Sequence, residues 1–354
     1  MRKYDKACKK LLVLTGATGF LGYKVLTVAL KAGYDVRIVV RSANKANKVL
    51  NAPSVKELKL SEEALSFVVV PDMTVAGAFN EAVRGATYVI HCASPIPSFG
   101  GEAPTPEQYE KFFVQAARQA TVGLLESSRS SGTVRRVVVT SSTVANIPFH
   151  YFLGKGDDKT FSAENRIPLD PGPYGFEFQA YSASKAAALN DSEAWVAENK
   201  PSFDLISILP GWIFGPDELC TTAEDFENGS TNSVLLNILR GTESSVPFTS
   251  NAVFVDDVAQ IHVAALDPQI PGNQAFMATG DGIDGMVWED GIRVVKQNFP
   301  EAIAQGRLKT TGKQPTIIVR VDAKKTEETF GIQLAGYEQQ VKSLVSQYLE
   351  VTKA

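Results

Sequence analysis

A glycine loop near the start of the chain constrains its fold more than any other feature. Leu11-Leu12-Val13-Leu14 is an apolar run, and Thr15-Gly16-Ala17-Thr18-Gly19-Phe20-Leu21-Gly22 follows it directly. From Phe20 to Ala32 the sequence reads as a helix, and Gly33 stops it. A strand therefore turns tightly into a helix. In such a turn Gly16 allows the sharp bend, Gly19 lets the backbone approach a pyrophosphate, and Gly22 lets the helix pack on the strand. The free N–H groups at the helix start then face an anion. A glycine-rich turn with no ligand is the plainer alternative. The place of the loop between strand and helix favours a dinucleotide.

The alternation continues to residue 140. Val36–Val40, Leu65–Val70, Tyr88–Cys92 and Arg136–Thr140 read as strands. A helical pattern before the last of them puts Tyr109, Phe112, Phe113, Ala116, Ala117 and Ala120 on one face. Strands that alternate with helices and lack polar alternation form a parallel sheet covered on both faces. Pro, Gly and aromatic residues crowd 147–178, which reads as loop. A helix is expected from about Gln179 to Ala197, a buried strand at Phe203–Leu209 and irregular structure at 215–250. The last helix carries Val341, Leu344, Val345, Tyr348 and Leu349 on one stripe. An N-terminal nucleotide domain and a C-terminal substrate domain follow, with more than one crossing between them.

Composition removes other classes. A chain of 354 residues buries a core without staples. With 44% hydrophobic and 21% charged residues it is neither disordered nor coiled coil. A net charge of −4 argues against nucleic acid as a partner. Cys8, Cys92 and Cys220, with His91, His150 and His262, are too scattered for a disulfide framework or a metal site, so a reducing, cytoplasmic setting is expected. Arg2, Lys3, Lys6, Lys9 and Lys10 precede an apolar stretch too short for a secretory signal. No apolar run approaches the ~18 residues of a membrane span.

The second strand ends Val39-Val40-Arg41-Ser42, with Lys48 beyond it. An acidic residue there would hold the ribose hydroxyls of NAD, whereas arginine accommodates the 2′-phosphate of NADP. Asp35 lies at the other end of the strand, so Arg41 and Lys48 point to NADP(H) rather than to solvated surface charge. Pro71-Asp72-Met73 and His91-Cys92-Ala93-Ser94-Pro95 sit at the ends of the third and fourth strands, where ligands of such sheets bind. Asp72 either caps the next helix or accepts from an adenine amino group. His91 and Cys92 read as packed strand-end residues.

Two short stretches carry the chemistry, Val139-Thr140-Ser141-Ser142-Thr143 and Tyr181-Ser182-Ala183-Ser184-Lys185. Tyr181 and Lys185, four apart, share a helix face. An ammonium beside a phenol is expected to lower its pKa from about 10. Tyr181 then acts as proton donor to a carbonyl oxygen becoming an alkoxide. A neighbouring serine holds that oxygen, and the lysine also reaches the nicotinamide ribose. Tyr-x-x-x-Lys alone is common; joined to the glycine loop and the Thr-Ser-Ser strand end it is specific.

With these pieces the sequence resembles the extended short-chain dehydrogenase/reductases, and among them the dihydroflavonol-4-reductase-like group. The resemblance rests on Thr15–Gly22, Val40-Arg41, His91–Pro95, Arg135–Ser142, Tyr181–Lys185, Leu209–Pro216 and Phe254–Ala259, about three quarters of the chain. Thr140–Val144 and Glu198–Pro201 are most similar to fungal NADPH-dependent aldehyde and ketone reductases. The resemblance implies an α/β, doubly wound parallel Rossmann sheet with a smaller C-terminal α/β substrate lobe. Residues 1–212, with 251–266 returning, would form the dinucleotide domain and 213–354 the lobe. It places the catalytic serine, tyrosine and lysine on Ser142, Tyr181 and Lys185, Ser141 being the neighbour that could exchange with Ser142. The cofactor NADPH would touch Gly16, Thr18, Gly19, Phe20, Leu21, Gly22, Arg41, Lys48, Asp72, Met73, Ala93, Ser94, Thr140, Tyr181, Lys185, Pro210, Gly211 and Ile213. Pro95, Phe99, Val144, Trp212 and Phe214 would line an apolar substrate pocket. Flavonoid reductases carry an asparagine that touches the flavonoid; Asn146 stands one position early, so flavonoid specificity is not expected.

The expected activity is an NADPH-dependent reduction of a small-molecule aldehyde or ketone by a monomer or homodimer. A nucleotide-sugar epimerase or dehydratase is the alternative enzyme, but Thr143-Val144 follows Ser142 where a dehydratase carries an Asp-Glu pair. A noncatalytic NADP(H) sensor usually lacks the tyrosine or the lysine, and both are present.

Overall fold

The computed structural model describes residues 10–61, 63–98, 103–227 and 230–353. Its strands are β1 (Leu11–Thr15), β2 (Asp35–Val40), β3 (Leu65–Val69), β4 (Tyr88–His91), β5 (Arg136–Thr140), β6 (Thr160–Phe161), β7 (Asp204–Pro210), β8 (Trp212–Phe214), β9 (Phe248–Thr249), β10 (Ala252–Phe254), β11 (Gln274–Ala278), β12 (Thr316–Ile317) and β13 (Arg320–Val321). Its α-helices are α1 (Phe20–Lys31), α2 (Ala43–Leu50), α3 (Pro53–Glu57), α4 (Ala116–Ser131), α5 (Glu177–Asn199), α6 (Thr231–Leu239), α7 (Val255–Ala264), α8 (Asp290–Asn298), α9 (Pro300–Ala304), α10 (Lys324–Phe330) and α11 (Tyr337–Val351).

Seven parallel strands form one sheet in the order β11-β7-β5-β4-β1-β2-β3. The order reverses between β1 and β4, where Leu12 lies opposite Val36 on one side and Tyr88 on the other. Ligands of open α/β sheets bind at such a switch point, outside the carboxyl ends of the strands. The two faces follow from strand alternation. Leu12, Leu14, Ile38, Ile90, Val138 and Ile206 join the core under α1 and α7. Their neighbours Val13, Val39, Val89, Val137, Val139 and Leu205 pack on the opposite face with Leu124 and Leu125 of α4. The continuous Val/Ile/Leu runs are what a sheet covered on both faces requires.

The C-terminal lobe has its own core, in which Phe214, Leu235, Leu236, Trp288, Val295, Val341 and Leu344 meet. Three features differ from the sequence reading. The return to the sheet runs past residue 266, because β11 pairs with β7 from Gln274 opposite Ile206 to Ala278 opposite Pro210. The segment 215–250 contains α6, whose Leu235, Leu236, Ile238 and Leu239 are buried in the lobe. The stretch 147–178 is largely loop, as read, but it also contributes Ile147, Tyr151, Phe152 and Phe161 to the main core. Clustered Gly, Pro and polar residues masked both segments.

Candidate active site

The loop between β1 and α1 is built around contacts that only glycine permits. Gly16 has φ +80°, and a Cβ there would lie 2.7 Å from the Ala93 nitrogen. A Cβ on Gly22 would lie 2.1 Å from the Gly16 carbonyl oxygen, so this glycine lets α1 sit directly on the loop. At Gly19 the nearest atom to such a Cβ is the Gly16 carbonyl oxygen at 3.6 Å, which leaves the approach to the helix start open. Gly19 is the N-cap of α1 and supplies no side-chain cap to its first N–H groups. Thr18 and Phe20 flank it half-buried, with Leu21 buried below. An open cradle with uncapped N–H donors fits the diphosphate of a dinucleotide. Across the switch point the Ala93 N–H donates to Thr15 Oγ1 at 3.1 Å, and the same hydroxyl meets His91 Nδ1 at 2.8 Å. Burial pushes His91 down to about 3, with Lys185 adding to the effect, so its ring is a neutral packing group.

At the end of β2, Arg41 is exposed and has no ion pair with any described residue. Lys48 is also exposed, but its charge faces the lobe. It opposes the burial that raises Asp217, and it adds to the Thr221 backbone N–H and other hydrogen bonds that hold Asp225 low. Asp72 accepts from the Thr74 N–H at 2.8 Å and from its hydroxyl at 2.6 Å, which makes it a turn-forming residue in this structure. Met73 packs half-buried against the second face of the sheet.

Ser142, at the exit of β5, is 8% exposed. Its hydroxyl donates to the Pro210 carbonyl at 3.4 Å and accepts from the Val144 N–H at 3.4 Å. Ser142 also acts to lower the Tyr181 phenol, against the larger effect of burial. Ser141 is tied by its backbone N–H to the Ile208 carbonyl at 2.7 Å, and it lines a small cavity with His91, Thr121, Lys185, Ser192 and Ser207. The neighbour of the tyrosine is therefore Ser142. Pro210 ends β7, and Gly211 beside it lets Asn251 approach so closely that a Cβ would lie 2.5 Å from its carbonyl oxygen. Ile213 is half-buried on β8.

Tyr181 and Lys185 lie on α5 as the spacing requires. Lys185 is 5% exposed, and its ammonium stands 5.8 Å from the Tyr181 ring centroid and donates to the Thr140 carbonyl at 3.4 Å. The expected lowering of the tyrosine is overturned. Burial pushes Tyr181 up to about 12, and the Ser142 hydrogen bond offsets only part of that. Burial also pulls Lys185 down to about 8. The ammonium lies toward the ring, and desolvation outweighs its attraction for phenolate.

A network that the sequence reading missed fixes Thr140. His262 Nδ1 lies 2.7 Å from the Val258 carbonyl, so that nitrogen carries the proton. Its Nε2 then accepts from the Thr140 hydroxyl at 2.7 Å. Burial takes His262 down to about 4, which keeps the ring neutral for this role. The signal was a histidine four residues after Val258, one helical turn along α7.

The residues expected around the substrate part company. Pro95 is half-buried and Val144 is 6% exposed just after Ser142. Trp212 is half-buried against Phe248, at 5.3 Å between ring centroids, and Trp288. Phe214 is fully buried in the lobe core against Trp288 and Tyr337, a correction to its placement in the pocket. Phe99 lies outside the described residues. Beside Tyr181 stands instead Phe178, its ring stacked at 6.2 Å and 29°, with Phe149 and Phe152 behind it. Asn146 is fully buried and donates to the Ser162 carbonyl.

Among the described residues no group of three or more His, Cys, Asp or Glu side chains is placed to hold a metal. No helix of the described residues is long and apolar enough to cross a membrane. A dinucleotide crevice beside Ser142, Tyr181 and Lys185 on a doubly wound sheet defines an NAD(P)-dependent reductase of the extended short-chain dehydrogenase/reductase class. The chain belongs to the NAD dependent epimerase/dehydratase family, whose model matches residues 12–276. Ketoreductase CTB6 of Cercospora nicotianae is 40% identical over 345 residues, 96% of this chain and 95% of that protein. The NAD-dependent epimerase/dehydratase ALT6 of Alternaria alternata is 33% identical over 356 residues, 97% of this chain and 99% of that protein. Yeast methylglyoxal/isovaleraldehyde reductase Gre2, solved in complex with NADPH, shares the fold with a TM-score of 0.77 at 22% identity, covering 96% of this chain and 98% of that one.

Proposed function

We propose that this protein is an NADPH-dependent carbonyl reductase that converts a ketone or aldehyde to its alcohol, with Tyr181 as the proton donor. The observation that carries the reading is the Lys185 ammonium 5.8 Å from the Tyr181 ring on one face of α5, with Ser142 held at the exit of β5 by the Pro210 carbonyl and the Val144 N–H. NADPH would be held by the Gly16–Gly22 loop, by Arg41 at its 2′-phosphate and by Ala93, Ser94, Pro210, Gly211 and Ile213 nearer the reacting end. When bound it supplies the hydride.

A phenol pushed up to about 12 stays protonated at neutral pH, as a donor must. Ser142 holds the carbonyl oxygen beside it, and the charge developing on that oxygen strengthens both hydrogen bonds. Once Tyr181 has given its proton, Lys185 stabilises the phenolate. Because Lys185 sits at about 8, raising the pH through that value removes the charge. The reduction rate should therefore be level below about pH 7 and fall through a single ionisation near 8. Lys185→Ala should be slow and show no such step. A wild-type profile level to pH 10 would deny Lys185 this role.

The apolar groups beside Tyr181 favour aryl ketones, hydrophobic aldehydes and keto-esters over small keto acids. The test is a carbonyl panel with NADPH, followed by loss of reduced-cofactor absorbance. Pyruvate-like acids as clearly the best substrates would contradict the apolar pocket. Tight NADPH binding without turnover of any member would favour a sensor. Conversion of nucleotide-sugars would favour the epimerase/dehydratase reading.

A further inference from the structure

The segment Ala93–Ser98 leaves β4 at the switch point without secondary structure of its own. It reads Ala-Ser-Pro-Ile-Pro-Ser, and its two prolines have no N–H to give. Among the described residues it is tied by hydrogen bonds to the rest of the protein at its two ends. At one end the Ala93 N–H donates to Thr15. At the other, Glu177 takes two bonds from Ser98: the N–H donates to Oε1 at 3.0 Å and the hydroxyl to Oε2 at 2.9 Å. Within the segment, Ser94 Oγ bonds only the Pro95 carbonyl, at 3.4 Å.

Glu177 opens α5, and Glu177, Tyr181 and Lys185 follow one another at intervals of four. That interval puts carboxylate, phenol and ammonium along one stripe of the helix. A carboxylate in the first turn is also favoured by the helix dipole. The helix that carries the proton donor thus holds, one turn earlier, the far end of the segment that crosses the switch point. We propose that Glu177 is a positioning residue, which fastens the Ala93–Ser98 segment to α5 so that it stands at a fixed distance from Tyr181 at the substrate end of the site.

The proposal rests on the reductase reading for its kinetic consequence. Glu177→Ala frees the Ser98 end, while Thr15 still holds the Ala93 end beside the glycine loop. It should raise KM for an aryl ketone about tenfold, the size of one charge-assisted hydrogen bond, and leave the NADPH dissociation constant within about twofold. The rate constant at saturating ketone should change little, since Tyr181 and Ser142 are untouched. Glu177→Gln keeps an acceptor for the Ser98 N–H and should restore most of the ketone affinity. Ser98→Ala, which loses the hydroxyl bond alone, should be intermediate. The double variant Ser98→Ala/Glu177→Ala should be no worse than Glu177→Ala, because both changes remove the same contact. If the Ala variant at 177 does not fold, Ser98→Ala and Glu177→Gln carry the test by the same comparison.

Hydrogen exchange of the peptide spanning 93–98, measured without ketone, reads the clamp independently of any activity. Exchange should be faster in Glu177→Ala and in Ser98→Ala than in the wild type. Should the wild type reduce no ketone, the reductase reading fails and exchange alone decides the clamp. Unchanged exchange, unchanged ketone KM, or effects that multiply in the double variant would overturn the proposal.

Discussion

Tyr181→Phe is expected to slow carbonyl reduction by ~10²–10⁴-fold, the usual contribution of a general acid, with NADPH affinity within about twofold of the wild type. The substitution removes one oxygen. The ring keeps its stacking on Phe178 at 6.2 Å and its place 5.8 Å from the Lys185 ammonium, so the helix and the crevice are preserved. Ser142 remains as a donor to the carbonyl oxygen, but it sits in a buried corner between the Pro210 carbonyl and the Val144 N–H. The ammonium that stabilises the charge left by donation stands 5.8 Å from the Tyr181 ring. Single-turnover rates with saturating NADPH and ketone measure the effect without interference from product release. A variant keeping half the wild-type rate would show that Tyr181 is not the acid.

The second large effect concerns cofactor choice. Wild type should prefer NADPH to NADH by about ten- to a hundred-fold, since a hydrogen bond to a charged group is worth about 1.5–3 kcal/mol and each 1.4 kcal/mol is about tenfold. Arg41 is the residue placed to supply it, because it stands exposed at the end of β2 with its charge uncommitted. Lys48 contributes less, since its charge also serves Asp217 and Asp225 of the lobe. Arg41→Ala should raise KM for NADPH and leave that for NADH nearly unchanged. The loss should shrink at high ionic strength, because the contact is exposed. Arg41→Asp should go further, repelling the phosphate and offering the ribose hydroxyls an acceptor. Equal use of both cofactors by the wild type, or equal loss for both in Arg41→Ala, would remove Arg41 from the 2′-phosphate.

The sheet was legible because its signals are local. The β-branched run at Arg136–Thr140 is a strand with those same limits, and Gly19 and Gly22 meet atoms of Gly16 and Ala17, within a few residues. The lobe was less legible because its contacts are distant in sequence. Phe214 reads as a pocket residue beside Trp212 and Ile213, yet its partners Trp288 and Tyr337 come from far down the chain and bury it. The same limit applied to charge. Spacing put Lys185 beside Tyr181, but the direction of both shifts was set by burial, which spacing does not report. Glu177 also sits four residues before Tyr181, and its meaning appeared only once Ser98 was seen to meet it.

In the proposed reaction a hydride passes from NADPH to a ketone carbon at the site formed by Ser142, Tyr181 and Lys185. NADPH carrying deuterium at its transferable position tests this directly, with the alcohol product analysed by mass spectrometry. The wild type should place one deuterium on the carbinol carbon of each product molecule, and Tyr181→Phe should lose labelled product although NADPH still binds. Alcohol formed without deuterium from either transferable face, or labelled product at an undiminished rate in Tyr181→Phe, would contradict it.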